Sequence, residues 1–203
     1  MGRDALRALV ICGLLYALFF TLSIGFGLGP PESRHEPSSP LLYVRRFIMI
    51  MVAAVSLRLT SKENLASLGL RISFRWIAIC LLVGIAMGFS NPGGFNPTEL
   101  SAIILALFHT FATELFFRGY VFKTLSASMK SSFVPILLSS LCYGLFYLTT
   151  APIWARPFLV KTLLVILFSA VGAVYAYAYK RSGSFLVPWM MHFFSVLKYR
   201  MLF

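Results

Sequence analysis

"ATELFFRGYVF", residues Ala112 to Phe122, places a carboxylate and a guanidinium four positions apart inside a long apolar run. Glu114 and Arg118 are both costly to move from water into hydrocarbon, so the fold must hold them. The surrounding run extends from Leu100 to Leu125, longer than the roughly 20 apolar residues that span a bilayer. Glu114 precedes Arg118 by one helical turn, the favourable order for a helical ion pair. The plain expectation is therefore a membrane helix carrying a self-satisfied pair, with Arg118 extending its stem toward an interface.

Composition supports that environment. Of 203 residues, 59% are hydrophobic and 12% charged, and the mean hydropathy is +0.85, far from a soluble domain. The formal charge of +12 would suit nucleic acid in a soluble protein. Here the bases gather at the ends of apolar segments, where they meet phospholipid headgroups and set topology. No basic, aromatic-interleaved soluble patch exists, which excludes nucleic acid as the partner. Cys12, Cys80 and Cys142 lie in apolar runs without metal-type spacing and read as small core hydrophobes.

Seven apolar segments can be drawn, at Ala5–Leu28, Leu41–Leu57, Trp76–Phe89, Leu100–Leu125, Phe133–Leu148, Phe158–Tyr179 and Phe185–Phe203. The third, fifth and seventh are short for a span. Turn chemistry separates them: "GPPESRHEPSSP" from Gly29, "NPGGFNP" from Asn91, "APIWARP" from Ala151 and "KRSGS" from Lys180. The N-terminal run has a basic start but continues too long for a signal peptide and reads as a retained first helix. The expected fold is an all-α polytopic membrane helix bundle of six to eight helices, with residues 1–203 forming one integral membrane domain. With the N-terminus inside, eleven Lys and Arg face one side and seven the other, which favours a cytoplasmic N-terminus. "TSKENLASLGLRISFRW" from Thr60 is amphipathic enough to lie along the cytoplasmic interface.

Among six acidic residues only Glu114 falls deep within an apolar segment. His109 lies one turn before Thr113, about 140° around the helix from Glu114, so direct cooperation between His109 and Glu114 is awkward. His192, in "PWMMHFFSV", is deep in the last segment, and taken alone reads as a helix-to-helix hydrogen-bonding group. Tyr143 and Tyr147 share a helical face. Ser139, Ser140 and Ser195 lack the context of a rhomboid-type nucleophile, and no H-E-x-x-H metal signature is present. No cofactor or metal is expected. A transporter would have one ion pair and no internal repeat to build on.

"TELFFRGYVF", "SSLCYGLFYL" and "GSFLVPWMMHFFSV" resemble, in order and spacing, the three motifs of the CPBP family. These are the CAAX-protease and bacteriocin-processing intramembrane proteases, also called Abi. The resemblance covers about Leu100 to Val196, within a CPBP-like core at residues 98–203, and the "LGL" at Leu68–Leu70 is similar to the family as well. It implies a glutamic-type intramembrane protease fold and a site at Glu114, Arg118, His192 and Tyr147. Three positions depart from the family pattern. Thr113 stands where the family has its water-activating Glu, Tyr147 where it has a second-motif His, and Val196 where it has a third-motif Asn or Asp.

Thr113 cannot act as a base near neutral pH, and in a helix its hydroxyl tends to bond back one turn. Glu114 held by Arg118 is a weak base. Val196 offers no side-chain hydrogen bond, although Tyr147 retains one for an oxyanion. The expected function is thus a catalytically impaired, pseudoprotease-like membrane protein. It would serve as a membrane-embedded binding or scaffold subunit for a membrane protein partner or a lipid. The alternative is an active intramembrane endopeptidase cleaving a prenylated or membrane-held protein or peptide, in a rewired form through Glu114, His109 and His192. The plasma (inner) membrane is the expected location.

Overall fold

A computed structural model of the chain describes residues 2–25, 40–61, 68–70, 73–89, 95–149 and 156–199. The described residues are all-helical. The helices are α1 (Arg3–Gly25), α2 (Pro40–Ser61), α3 (Phe74–Phe89), α4 (Leu100–Glu114), α5 (Lys123–Ser128), α6 (Val134–Phe146), α7 (Phe158–Ser182) and α8 (Leu186–Ser195). A π-helical stretch, Leu115–Phe122, joins α4 to α5 without a break, and a 3₁₀ turn, Tyr147–Thr149, follows α6. Among the described residues three helices are long and apolar enough to cross a membrane: Arg3–Leu22, Leu100–Ser128 and Phe158–Ser182. Counting Leu100–Ser128 as one helix gives seven, within the expected six to eight. Residues 62–67 and 71–72 of the Thr60 to Trp76 segment, and 91–94 of the turn that begins at Asn91, fall outside the described residues.

The chain divides into two compact units. The first comprises Met1–Glu36 and Tyr120–Ala176. In it α1 packs on α5 and on the 3₁₀ turn. Tyr16 donates its hydroxyl proton to the Cys142 carbonyl, and Phe19 meets Phe146 edge to face at 6.0 Å. Gly144 of α6 lies so close to α7 that a Cβ there would fall 2.5 Å from the Val165 carbonyl. Only a glycine permits this approach, the small-residue contact by which membrane helices pack.

The second unit comprises Pro37–Gly119 and Tyr177–Phe203. Its principal contact is α3 against α8, with α4 packed on both α2 and α8. The seventh apolar segment is helical only over Leu186–Ser195, shorter than drawn from the sequence. It stops there because the chain turns to pair with Phe95. Phe95 donates its N–H to the Val196 carbonyl at 2.7 Å, and Lys198 donates to the Phe95 carbonyl at 2.9 Å. Ahead of α8, Leu68 and Gly69 offer their carbonyls to the Phe185 N–H at 3.0 and 2.9 Å. Gly69 has φ +71°, and a Cβ there would fall 2.0 Å from the Gly183 carbonyl. The central residue of the LGL stretch is glycine because this turn admits nothing larger.

The α3–α8 seam is set by Gly84, where a Cβ would lie 2.7 Å from the Phe194 Cβ and 2.9 Å from the Met191 carbonyl. Gly84→Leu should therefore force the helices apart and lower stability by about 1–3 kcal/mol, the usual range for overpacking. Thermal unfolding of the purified protein in mild detergent measures it. An unchanged midpoint would mean that this seam does not hold α8.

Candidate functional site

Glu114, Arg118 and His192 meet inside the second unit. Glu114 is the last residue of α4, Arg118 lies within the π-helical stretch and His192 lies in α8. The Glu114 Oε1 and His192 Nδ1 are 2.7 Å apart, and the Glu114 Oε2 and Arg118 Nε are 3.2 Å apart. The second contact is an ion pair within one helical turn. Glu114 and Arg118 are both 0% exposed and His192 1%. The expectation of an internal pair holds, but Arg118 does not extend toward an interface. Its guanidinium lies 6.0 Å from the ring centroid of Phe117, which is itself fully buried. The π-helical backbone marks the place where this charge is carried, as π turns commonly do at functional sites.

His192 is reached because α4 and α8 pack face to face. The contact takes up Nδ1 of His192 and leaves Nε2 outside it. On its other side the ring meets His109 edge to face, with centroids 6.1 Å apart. His109 in turn accepts from the Arg46 Nε at 3.1 Å through its Nδ1, and packs at 5.6 Å against the Phe95 ring. A buried polar chain thus runs Arg46, His109, His192, Glu114, Arg118. His109 does not approach Glu114 around α4, as its angle on that helix implied. It joins through His192, from the neighbouring helix.

Arg46 is one of the bases near the end of an apolar segment, where headgroup anchoring is the expectation, yet it is 6% exposed. The reading missed it because its partner lies 63 residues away. The only local signal was a pair of arginines, Arg45 and Arg46, one turn inside an apolar segment.

The three altered positions behave as their chemistry dictates. Thr113 is 1% exposed and donates its hydroxyl proton to the His109 carbonyl at 2.8 Å, so it neither takes a proton nor presents one to a ligand. Val196 uses its backbone polar groups internally, the N–H toward the His192 carbonyl at 3.1 Å and the carbonyl toward Phe95. Its side chain adds no polar group. Tyr147 belongs to the first unit, where its hydroxyl is 3.0 Å from that of Tyr143. Its ring stacks on Phe168 at 3.7 Å. Among the described residues no group of three or more His, Cys, Asp or Glu is placed to hold a metal ion.

A family model described as Rce1-like, type II CAAX prenyl endopeptidase, matches residues 96–197. The match takes in all three motif segments, from Thr113 to Val196. No curated protein and no solved structure matches the chain.

Proposed function

The chain belongs to the Rce1-like family of type II CAAX prenyl endopeptidases, and from that premise we propose that it is a member which has lost peptide hydrolysis. It is an integral membrane protein, acting as a binding or scaffold subunit for a membrane protein partner or a lipid. One observation carries this reading. Among the described residues the site holds one carboxylate, Glu114, which is fully buried with one oxygen on His192 and the other on Arg118. Hydrolysis needs a base that reaches water, and the position the family uses for it is Thr113, whose hydroxyl is turned back on its own helix. Loss of one general base alone costs about 10²–10⁴ in rate. Glu114, Arg118 and His192 then remain as polar glue between helices, with Tyr147 a remnant of the second motif.

The test is direct. The purified chain in liposomes, given a farnesylated CAAX peptide, should release no product above the rate without protein. Cleavage that disappears in Glu114→Gln would overturn the reading. It would favour the rewired enzyme instead, for which the Glu114–His192 contact at 2.7 Å supplies a carboxylate-oriented imidazole.

The orientation proposed from the Lys and Arg distribution puts the N-terminus in the cytoplasm of a plasma (inner) membrane. A cysteine introduced at Gly2 should react with an impermeant maleimide only after the membrane is opened. Reaction in sealed cells would reverse the topology.

A further inference from the structure

The first unit brings two of the three cysteines together. Cys12 of α1 and Cys142 of α6 are buried, 2% and 9% exposed, and both are free thiols. Two rows of side chains meet along the seam between these helices. Cys12, Tyr16 and Phe19 recur at helical spacing on α1, and Cys142 and Phe146 lie one turn apart on α6. The Phe19 and Tyr16 rings both lie 6.0 Å from that of Phe146, and the Tyr16 hydroxyl reaches back to the Cys142 carbonyl. The rows therefore advance in the same direction. One turn before Tyr16 and Phe146, the facing pair is Cys12 and Cys142. Their side chains are in hydrogen-bonding contact, with the Tyr16 hydroxyl beside both.

The pair lies deep. Cys12 sits about 14 Å along α1 from Arg3, and Cys142 about 12 Å along α6 from Val134. Those depths approach the middle of a hydrocarbon layer about 30 Å thick. The third cysteine belongs to the other unit, where the Cys80 thiol donates to the Val187 carbonyl at 3.3 Å.

We infer that Cys12 and Cys142 form a redox-sensitive disulfide inside the membrane, which fixes α1 to the helix of the second motif. As the S–S bond forms, the two thiols give up two protons and two electrons. A lipid-soluble quinone takes up both and becomes the hydroquinone. A neutral, apolar oxidant suits this depth, because a charged one pays heavily to leave water. α1 lies outside the residues that match the family, 96–197, whereas Cys142 directly precedes Tyr143 and shares its helix. The bond forms whether or not the chain cleaves peptides.

The experiment treats the full chain in liposomes with decylubiquinone, a fully substituted quinone that thiols cannot alkylate. The chain is then denatured, and its remaining thiols are capped with a maleimide for intact-mass measurement. The untreated chain should take up three maleimides and the oxidised chain one, at Cys80. Peptide mapping without reductant should join Cys12 to Cys142, and a reducing dithiol should restore all three thiols. Cys12→Ser should keep both of its remaining thiols through the same treatment. Gly13→Cys in the Cys12→Ser chain moves the thiol one position around α1, where a Cβ meets nothing within 4 Å, and should also stay reduced. Three maleimides after oxidation would overturn the inference. So would a bond that includes Cys80 or joins two chains, or one that Gly13→Cys forms equally well.

Discussion

Arg118→Ala should destabilise the protein by about 3–5 kcal/mol, the cost of leaving a buried charge without its partner. Glu114 is 0% exposed, so no water replaces the guanidinium. The single variant buries a carboxylate stripped of its cation. Glu114→Gln leaves Arg118 in the same difficulty and makes the oxygen that meets His192 at 2.7 Å a neutral acceptor. Replacing both by Gln removes both charges, so the double variant should be milder than the sum of the two single changes. A double-mutant cycle of thermal or denaturant unfolding in detergent measures the coupling, expected between about 0.5 and 3 kcal/mol for residues in direct contact. Strict additivity would show that the 3.2 Å approach is proximity without energetic consequence.

That pair was legible in the sequence because it is local. An i, i+4 spacing and a deep apolar setting are properties of one helix, and hydropathy alone placed the chain in a membrane. The motif segments were equally plain, and the resemblance alone marked Thr113, Tyr147 and Val196 as positions where it implies other residues. Two features were not legible. The first is the backbone under Arg118. A π turn at Leu115–Phe122 shifts the hydrogen-bond register, and propensity does not report that shift. The second is everything that depends on helix pairing. Arg46 and His109, 63 residues apart, meet only because α2 packs on α4, and His109 faces His192 only because α4 packs on α8. Viewed on its own helix, His109 pointed away from the carboxylate.

The LGL stretch shows the same division. Its glycine could be noticed, but its reason lies in the Gly183 carbonyl more than a hundred residues later. The last apolar segment looked long enough to be borderline because hydropathy does not register that Phe95 takes up the backbone of Val196 and Lys198.

Writing the family's residues back supplies the largest expected effect. Thr113→Glu, Tyr147→His and Val196→Asn together restore the base, the second-motif imidazole and the third-motif amide. Product from a farnesylated CAAX peptide should rise from background by at least the 10²–10⁴ that a general base contributes. The three changes are unequal. Thr113→Glu introduces a second carboxylate next in sequence to Glu114, at a position that is 1% exposed. Arg118 and His192 already engage the two oxygens of Glu114, so the new carboxylate is the one left to act as base. Val196→Asn changes only the side chain, because the backbone contacts of that residue to His192 and Phe95 persist. Removing Thr113→Glu from the restored set should return the rate to background, whereas removing Val196→Asn should reduce it without abolishing it. If the unmodified chain already cleaves the peptide as fast as the restored one, Thr113 is no lesion, and the carboxylate doing the work is Glu114.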